Sequence, residues 1–153
     1  MQLLTTSIEI AAAPNVVREK FLDFSQLPNY HKNGFFKSIG PAVKGEPYEP
    51  GLKMRNELKV MVIEPTLLEN SPKCFSWMGN GLLGTFNGEH RFRFEPSTTT
   101  PGGTTFIHEE IFTGALSLLM GENLAARAAG LKKTTKEGFE GFNVDLKKWC
   151  ESS

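Results

Sequence analysis

The stretch Leu124–Trp149, LAARAAGLKKTTKEGFEGFNVDLKKW, decides the fold. Within it Leu124, Ala128, Leu131, Phe139, Phe142, Leu146 and Trp149 recur at helical steps. Side chains so spaced share one face of an α-helix, so the stretch predicts a long helix with a single apolar stripe. Gly130, Gly138 and Gly141 lie inside it, each costing about 1 kcal/mol relative to alanine. Either a close approach of the sheet or of a ligand offsets that cost, or the helix kinks there. Arg127 and Lys132 fall off the stripe and read as solvated.

Upstream, the pattern changes to strands. Residues 3–11 are β-branched and roughly alternating, which predicts a first strand. Pro14 opens a short helix, because the first helical N–H has no partner to lose, and Val17, Phe21 and Phe24 follow at helical spacing. Leu27-Pro28-Asn29-Tyr30 interrupts it, with room for a second short helix around 25–32. From Phe35 to Phe112, Gly40-Pro41, Glu49-Pro50-Gly51, Asn70-Ser71-Pro72 and Pro101-Gly102-Gly103 punctuate strands. Over 52–60, Leu52, Met54, Asn56 and Leu58 alternate with Lys53, Arg55, Glu57 and Lys59, which describes a half-buried strand. In 86–94, His90, Phe92 and Phe94 oppose Glu89, Arg91 and Arg93; in 104–113, Phe106, His108, Glu110 and Phe112 share a face. Strands in one run with helices set apart predict an α+β domain over residues 1–153, a curved antiparallel sheet of about seven strands wrapped around the last helix.

The totals narrow the function classes. The chain has 153 residues, 39 % apolar and 22 % charged, which suits one domain with a real core. Seventeen basic residues balance seventeen acidic ones, so no nucleic-acid partner is expected. No window approaches the roughly 20 apolar residues that cross a bilayer, and the first residues do not form a secretory signal, so a cytoplasmic protein without stable membrane insertion is expected. Cys74 and Cys150 form neither a metal pair nor a disulfide framework and read as free thiols. Oligomeric state is unconstrained.

Several segments together resemble the START-like helix-grip superfamily (SRPBCC), which includes polyketide cyclase/dehydrase-like and birch-pollen-allergen-like proteins. They are Ile8–Pro14 with Val17 and Phe21, Phe75-Ser-Trp77-Met-Gly79, Gly88–Pro96, Gly103–Gly114, and Phe142-Asn143 with Leu146-Lys147. The resemblance covers nearly the whole chain. It implies a cavity between sheet and helix for lipids, sterols, polyketides, quinones or plant hormones. It implies no single chemistry, because members include carriers, receptors, cyclases and chaperone regulators.

The residues themselves offer one constellation. Alternation puts His90, His108 and Glu110 on the phenylalanine-bearing face, and adjacent antiparallel strands bring such positions together. An imidazole beside a carboxylate can move a proton near neutral pH, as aldol cyclisation and dehydration require. The competing reading is a hydrogen-bonded core group that fixes strand register. Two histidines and a carboxylate can also form a facial metal triad, but the usual H-x-H spacing is missing, so neither metal nor cofactor is expected. Phe75, Trp77, Phe92, Phe94, Phe106, Phe112, Phe139 and Phe142 either line a pocket for a flat ligand or form an ordinary core. Asn56, among apolar neighbours, is a ligand hydrogen-bonder or a satisfied core amide. His31, in a turn-rich stretch, reads as surface. Gly79-Asn-Gly81-Leu-Leu-Gly84 matches G-x-G-x-x-G literally, but a strand pattern follows it, so it reads as a strand connection. Leu116–Met120 either packs under the helix start or forms a lid. Three functions follow: a cyclase- or dehydratase-like enzyme using His90, His108 and Glu110; a non-catalytic carrier or receptor of a hydrophobic ligand; and, with least support, a protein-interaction module. The reading preferred is hydrophobic small-molecule binding with a cyclase-like activity.

Overall fold

The structure is a computed structural model that describes residues 1–59, 61–81, 86–114 and 130–152, with backbone alone at 81 and 86. β1 (Gln2–Ile10) leads into α1 (Pro14–Leu22), a 3-10 turn (Phe24–Gln26) and α2 (Leu27–Tyr30). Seven strands follow: β2 (Phe36–Ser38), β3 (Asn56–Leu58), β4 (Val62–Ile63), β5 (Thr66–Asn70), β6 (Cys74–Gly81), β7 (Phe86–Pro96) and β8 (Thr104–Thr113). The chain then enters α3 (Leu131–Glu151). The expected two short helices after the first strand are present. Gly79 and Gly81 of the glycine motif lie within β6; the rest of that motif, the 116–120 segment, Leu124, Arg127 and Ala128 lie outside the described residues.

The main sheet runs β1-β8-β7-β6-β5, every pair antiparallel, and β2-β3-β4 form a smaller one. The two are continuous through the chain just before β3, where Met54 N–H donates to Pro65 O at 2.8 Å and Leu67 N–H to Leu52 O at 2.8 Å. The sheet therefore continues from β5 into the 52–58 segment and on to β2, and its length agrees with about seven strands. It also curls back on itself. Phe36 on β2, at the far end from β8, brings its ring centroid within 5.8 Å of His108 on β8 and 5.6 Å of His90 on β7.

α3 fills the concavity. Its buried residues are Phe139, Phe142, Asn143, Leu146 and Cys150, close to the stripe read from spacing. Burying each large apolar side chain contributes roughly 1.5–3 kcal/mol. Two stripe positions differ. Leu131, in the first turn, is exposed, and Trp149 lies partly buried, stacked on Tyr30 with centroids 4.4 Å apart. Gly130 is not inside the described helix but at its N-cap, with φ of 66°, a left-handed conformation that glycine adopts without strain. α1 packs into the same core through Val17 and Phe21, with the Phe21 ring 6.2 Å from Phe142 of α3, and Arg18 anchors it to the β5–β6 turn by donating to Ser71 O at 2.8 Å and Asn70 Oδ1 at 2.6 Å. Both cysteines are free and buried, and no helix among the described residues is long and apolar enough to cross a membrane.

The interior glycines of α3 have different causes. A Cβ at Gly138 would stand 2.3 Å from the Phe35 ring, whereas one at Gly141 would meet nothing within 4 Å. Gly138→Ala is therefore expected to lower stability by about 1–3 kcal/mol through overpacking. Gly141→Ala should raise it by about 1 kcal/mol through helix propensity. Chemical denaturation of both variants checks this, and opposite signs are the expected result.

Candidate functional site

β7 and β8 pair in a register that places His90 opposite Glu110 and Phe92 opposite His108. The three polar side chains therefore meet on the inner face, as alternation predicted. His90 Nε2 lies 2.6 Å from His108 Nε2, and His90 Nδ1 lies 2.9 Å from Glu110 Oε1. His108 Nδ1 is 2.9 Å from Asn143 Oδ1 on α3, Asn143 Nδ2 donates to Thr6 Oγ1 on β1 at 2.9 Å, and Thr6 Oγ1 donates back to His108 O at 2.8 Å.

The proton positions follow from this chain. Asn143 spends its amide donor on Thr6, so its oxygen accepts and His108 Nδ1 must carry a hydrogen. His108 is fully buried, and that burial, followed by the neighbouring His90, holds its pKa well below the usual 6.5. His108 is thus the neutral Nδ1–H tautomer, and its Nε2 accepts from His90 Nε2–H. Every ring hydrogen but one is thereby assigned. The remaining proton lies between His90 Nδ1 and Glu110 Oε1, on one or the other. The two facing ring nitrogens are thus engaged with each other as donor and acceptor at 2.6 Å.

Around the relay stands an aromatic box. His108 stacks on Phe139 with centroids 4.0 Å apart at 13°, and His90 on Phe92 at 4.7 Å and 21°. Trp77 lies 4.9 Å from His90. Phe75, Phe94, Phe106 and Phe142 are buried in the same core, and Phe21 bridges several of them. Phe112 belongs to a smaller cluster with Leu4 and Phe139, adjoining Glu110, which pairs with Leu4 across β1–β8. His90 is 4 % and His108 0 % exposed, while the Glu110 side chain keeps 17 % of its surface accessible. Glu110 is the relay's accessible end. A Cβ at Gly88 would come within 2.5 Å of Glu110 Oε2, so glycine there makes room for the carboxylate.

Asn56 lies inward on β3 with no exposure; its Oδ1 accepts from Gly40 N–H at 3.3 Å, and its Nδ2 has no hydrogen-bond partner among the described residues. Sequence reasoning missed Asn143 and Thr6. Asn143 stands four residues after Phe139 on the apolar stripe, and Thr6 alternates with Leu4 and Ile8, so a polar residue at an inward position was the available signal. His31 needs correcting: it is 3 % exposed, its Nδ1 is 2.7 Å from Asp145 Oδ2, and its Nε2 accepts from Phe36 N–H at 3.3 Å. The turn-rich 31–35 stretch folds around its ring, which leaves Gly34 no space for a Cβ. Lys132, read as solvated, is half-buried.

A family model described as polyketide cyclase/dehydrase and lipid transport matches residues 1–151. A search of curated proteins finds no match. Among solved structures, a hypothetical protein from Helicobacter pylori is similar, with TM-score 0.72 and 13 % identity over 98 % of this chain and 88 % of that one. A START superfamily protein from Mycobacterium smegmatis gives TM-score 0.66 and 16 % identity, covering 98 % and 97 %. The ZhuI aromatase/cyclase from Streptomyces sp. R1128 gives 0.68 and 10 %, covering 98 % and 93 %. At such identities the likeness shows the fold, the helix-grip architecture.

The buried neutral His108 has a measurable consequence. Below about pH 6.5 the unfolded chain takes up a proton at His108 that the native chain does not, so acid favours unfolding. The loss from this group is about 1.4 kcal/mol per pH unit until the lowered native pKa is reached. Denaturation at pH 7 and pH 5 should show wild type losing more stability than His108→Gln. An equal loss in both would contradict the neutral assignment.

Proposed function

The chain belongs to the polyketide cyclase/dehydrase and lipid transport family, and from that premise we propose that it binds a hydrophobic, polyketide-like small molecule between sheet and α3 and dehydrates or cyclises it by acid–base chemistry. The observation that carries the reading is the relay: three polar side chains, linked in one hydrogen-bonded chain within an aromatic face, ending on a partly accessible carboxylate. The aromatase/cyclase name of one similar structure also supports it.

The chemistry follows from the proton positions. Glu110 takes the proton α to a ketone, and the C–H electron pair becomes a C=C bond. The β carbon–oxygen bond breaks, and the departing hydroxyl takes the proton held between His90 and Glu110, leaving as water. The pair gains one proton and loses one, so it is regenerated. In this scheme Glu110 touches substrate, His90 holds and returns the proton, and His108 positions His90. Phe75, Trp77, Phe92, Phe94, Phe106, Phe112, Phe139 and Phe142 form the apolar wall that excludes water and favours flat ligands.

The alternative, a non-catalytic carrier, is favoured by a specific observation: both imidazoles are buried, and every nitrogen already has a partner. Turnover separates the two. 3-Hydroxy-1-tetralone loses water to give fluorescent 1-naphthol, so it reports the reaction directly. Glu110→Gln and His90→Phe are expected to lower the rate about 10²–10⁴-fold while binding stays within a few fold. Lost affinity with no turnover in wild type would support the carrier. Native mass spectrometry of gently purified protein would then identify the passenger.

A further inference from the structure

The acid–base relay accounts for one wall of the interior. On the facing wall stands a polar group that it does not use. Asn56 is 0 % exposed, on the inner face of β3 between Met54 and Leu58 in sequence alternation. Its orientation is set, because Oδ1 accepts the Gly40 N–H at 3.3 Å and a backbone N–H can only donate. Nδ2 is thereby the end of the amide turned away from Gly40; it is buried and has no acceptor among the described residues. A fully buried amide donor without an acceptor is costly, and such groups call for a specific cause.

The curl of the sheet makes that cause a ligand-facing one. Asn56 lies two residues before Leu58, which pairs with Phe36, and Phe36 reaches His90 and His108 on the opposite wall. The orphan donor and the relay thus flank the same aromatic interior. We propose that Asn56 is the specificity-determining contact of this site, donating its Nδ2–H to a carbonyl or ether-type oxygen of the bound molecule. The inference rests on the binding reading above and narrows it. A fatty acyl chain or hydrocarbon leaves the donor unmatched, whereas an oxygenated, keto-bearing ring system satisfies it while presenting its reactive C–H to Glu110.

Two probes with one skeleton test this: 1-tetralone, which carries the acceptor, and tetralin, which does not. Binding is followed by isothermal titration or by quenching of tryptophan fluorescence. Wild type is expected to bind 1-tetralone about tenfold or more tightly than tetralin, since a site built to hydrogen-bond rejects the analogue that lacks the group. In Asn56→Leu that ratio should fall to about one, with tetralin affinity unchanged or improved. Asn56→Asp keeps the acceptor for Gly40 and replaces the donor, so it serves if the leucine variant fails to fold. At pH 8 it should disfavour 1-tetralone and favour the phenol 5,6,7,8-tetrahydro-1-naphthol. Equal ratios in wild type and variants would overturn the assignment of Asn56 alone and would point to a buried water on the amide. Failure of wild type to bind either probe would overturn the binding reading and this inference together.

Discussion

The bond between His108 Nδ1–H and Asn143 Oδ1 joins the sheet to the helix it wraps, and the rest of the arrangement depends on it. An imidazole with no exposure must have both nitrogens matched or bear a large penalty. Asn143 matches one, and because its amide is committed to Thr6, the directions of the His108–Asn143 and His90–His108 hydrogen bonds are settled. The same bond sets the rotation of α3 about its axis, since Asn143 faces the sheet only when Phe139 and Phe142 do. It also fixes which face of β8 looks inward, since His108 and Glu110 stand two residues apart on that strand and share a face. Packing and proton order are one constraint here.

The outer face of the same strands carries a buried carboxylate of its own, matched in a different way. Glu109, adjacent to Glu110 in sequence, points the other way, where Arg93 Nε lies 3.1 Å and Arg91 Nη1 3.9 Å from its carboxylate. The arginine side chains are 36–37 % exposed, but Glu109 is only 5 % exposed, so its carboxylate is matched by the guanidinium groups rather than by water. Inside, the low effective dielectric strengthens the His90–Glu110 contact and makes an unmatched polar atom expensive. The two faces of β8 therefore carry glutamates with different physical roles, separated by one position.

Period-two alternation was enough to place His90, His108 and Glu110 on one face, and period 3.6 was enough for the stripe of α3, because both patterns are local. Which residues oppose one another was not legible, since register depends on turn geometry and pairing across the chain. Asn143 escaped notice for that reason: its place on the apolar stripe marks it as inward, but its partner is 35 residues away. His31 was misplaced because a stretch of turn residues has no period. Its burial comes from Asp145, 114 residues on, and from the backbone of Phe36. Gly138 was read as marking either a close approach or a kink, and the structure sets the Phe35 ring against it, a contact no periodicity encodes. The family pattern was legible despite identities of 10–16 % to similar structures, because it consists of inward positions and turns, which many apolar residues satisfy.

The two ends of α3 are held to the sheet by unequal forces. Toward its C-terminal half, Asp145 grips His31, Asn143 grips His108, and Glu151 accepts from Ala11 N–H at 2.7 Å. Parting sheet and helix there would leave the buried His31, His108 and Asn143 groups without partners, at about 1–3 kcal/mol each, whereas water would replace the exposed Glu151–Ala11 bond. Toward its N-terminal half, Phe139 with Phe35, Leu4 and Phe112 makes the contact, and these groups carry no hydrogen bonds between their side chains to break. Apolar contacts of that kind can be exchanged for those of an apolar ligand with little net loss, because the same surface stays out of water. The carboxylate of Glu110 stands at this second end. The fold thus concentrates its directional bonds around His108 and His31 and leaves interchangeable apolar contacts beside Glu110, the accessible end of the hydrogen-bonded chain.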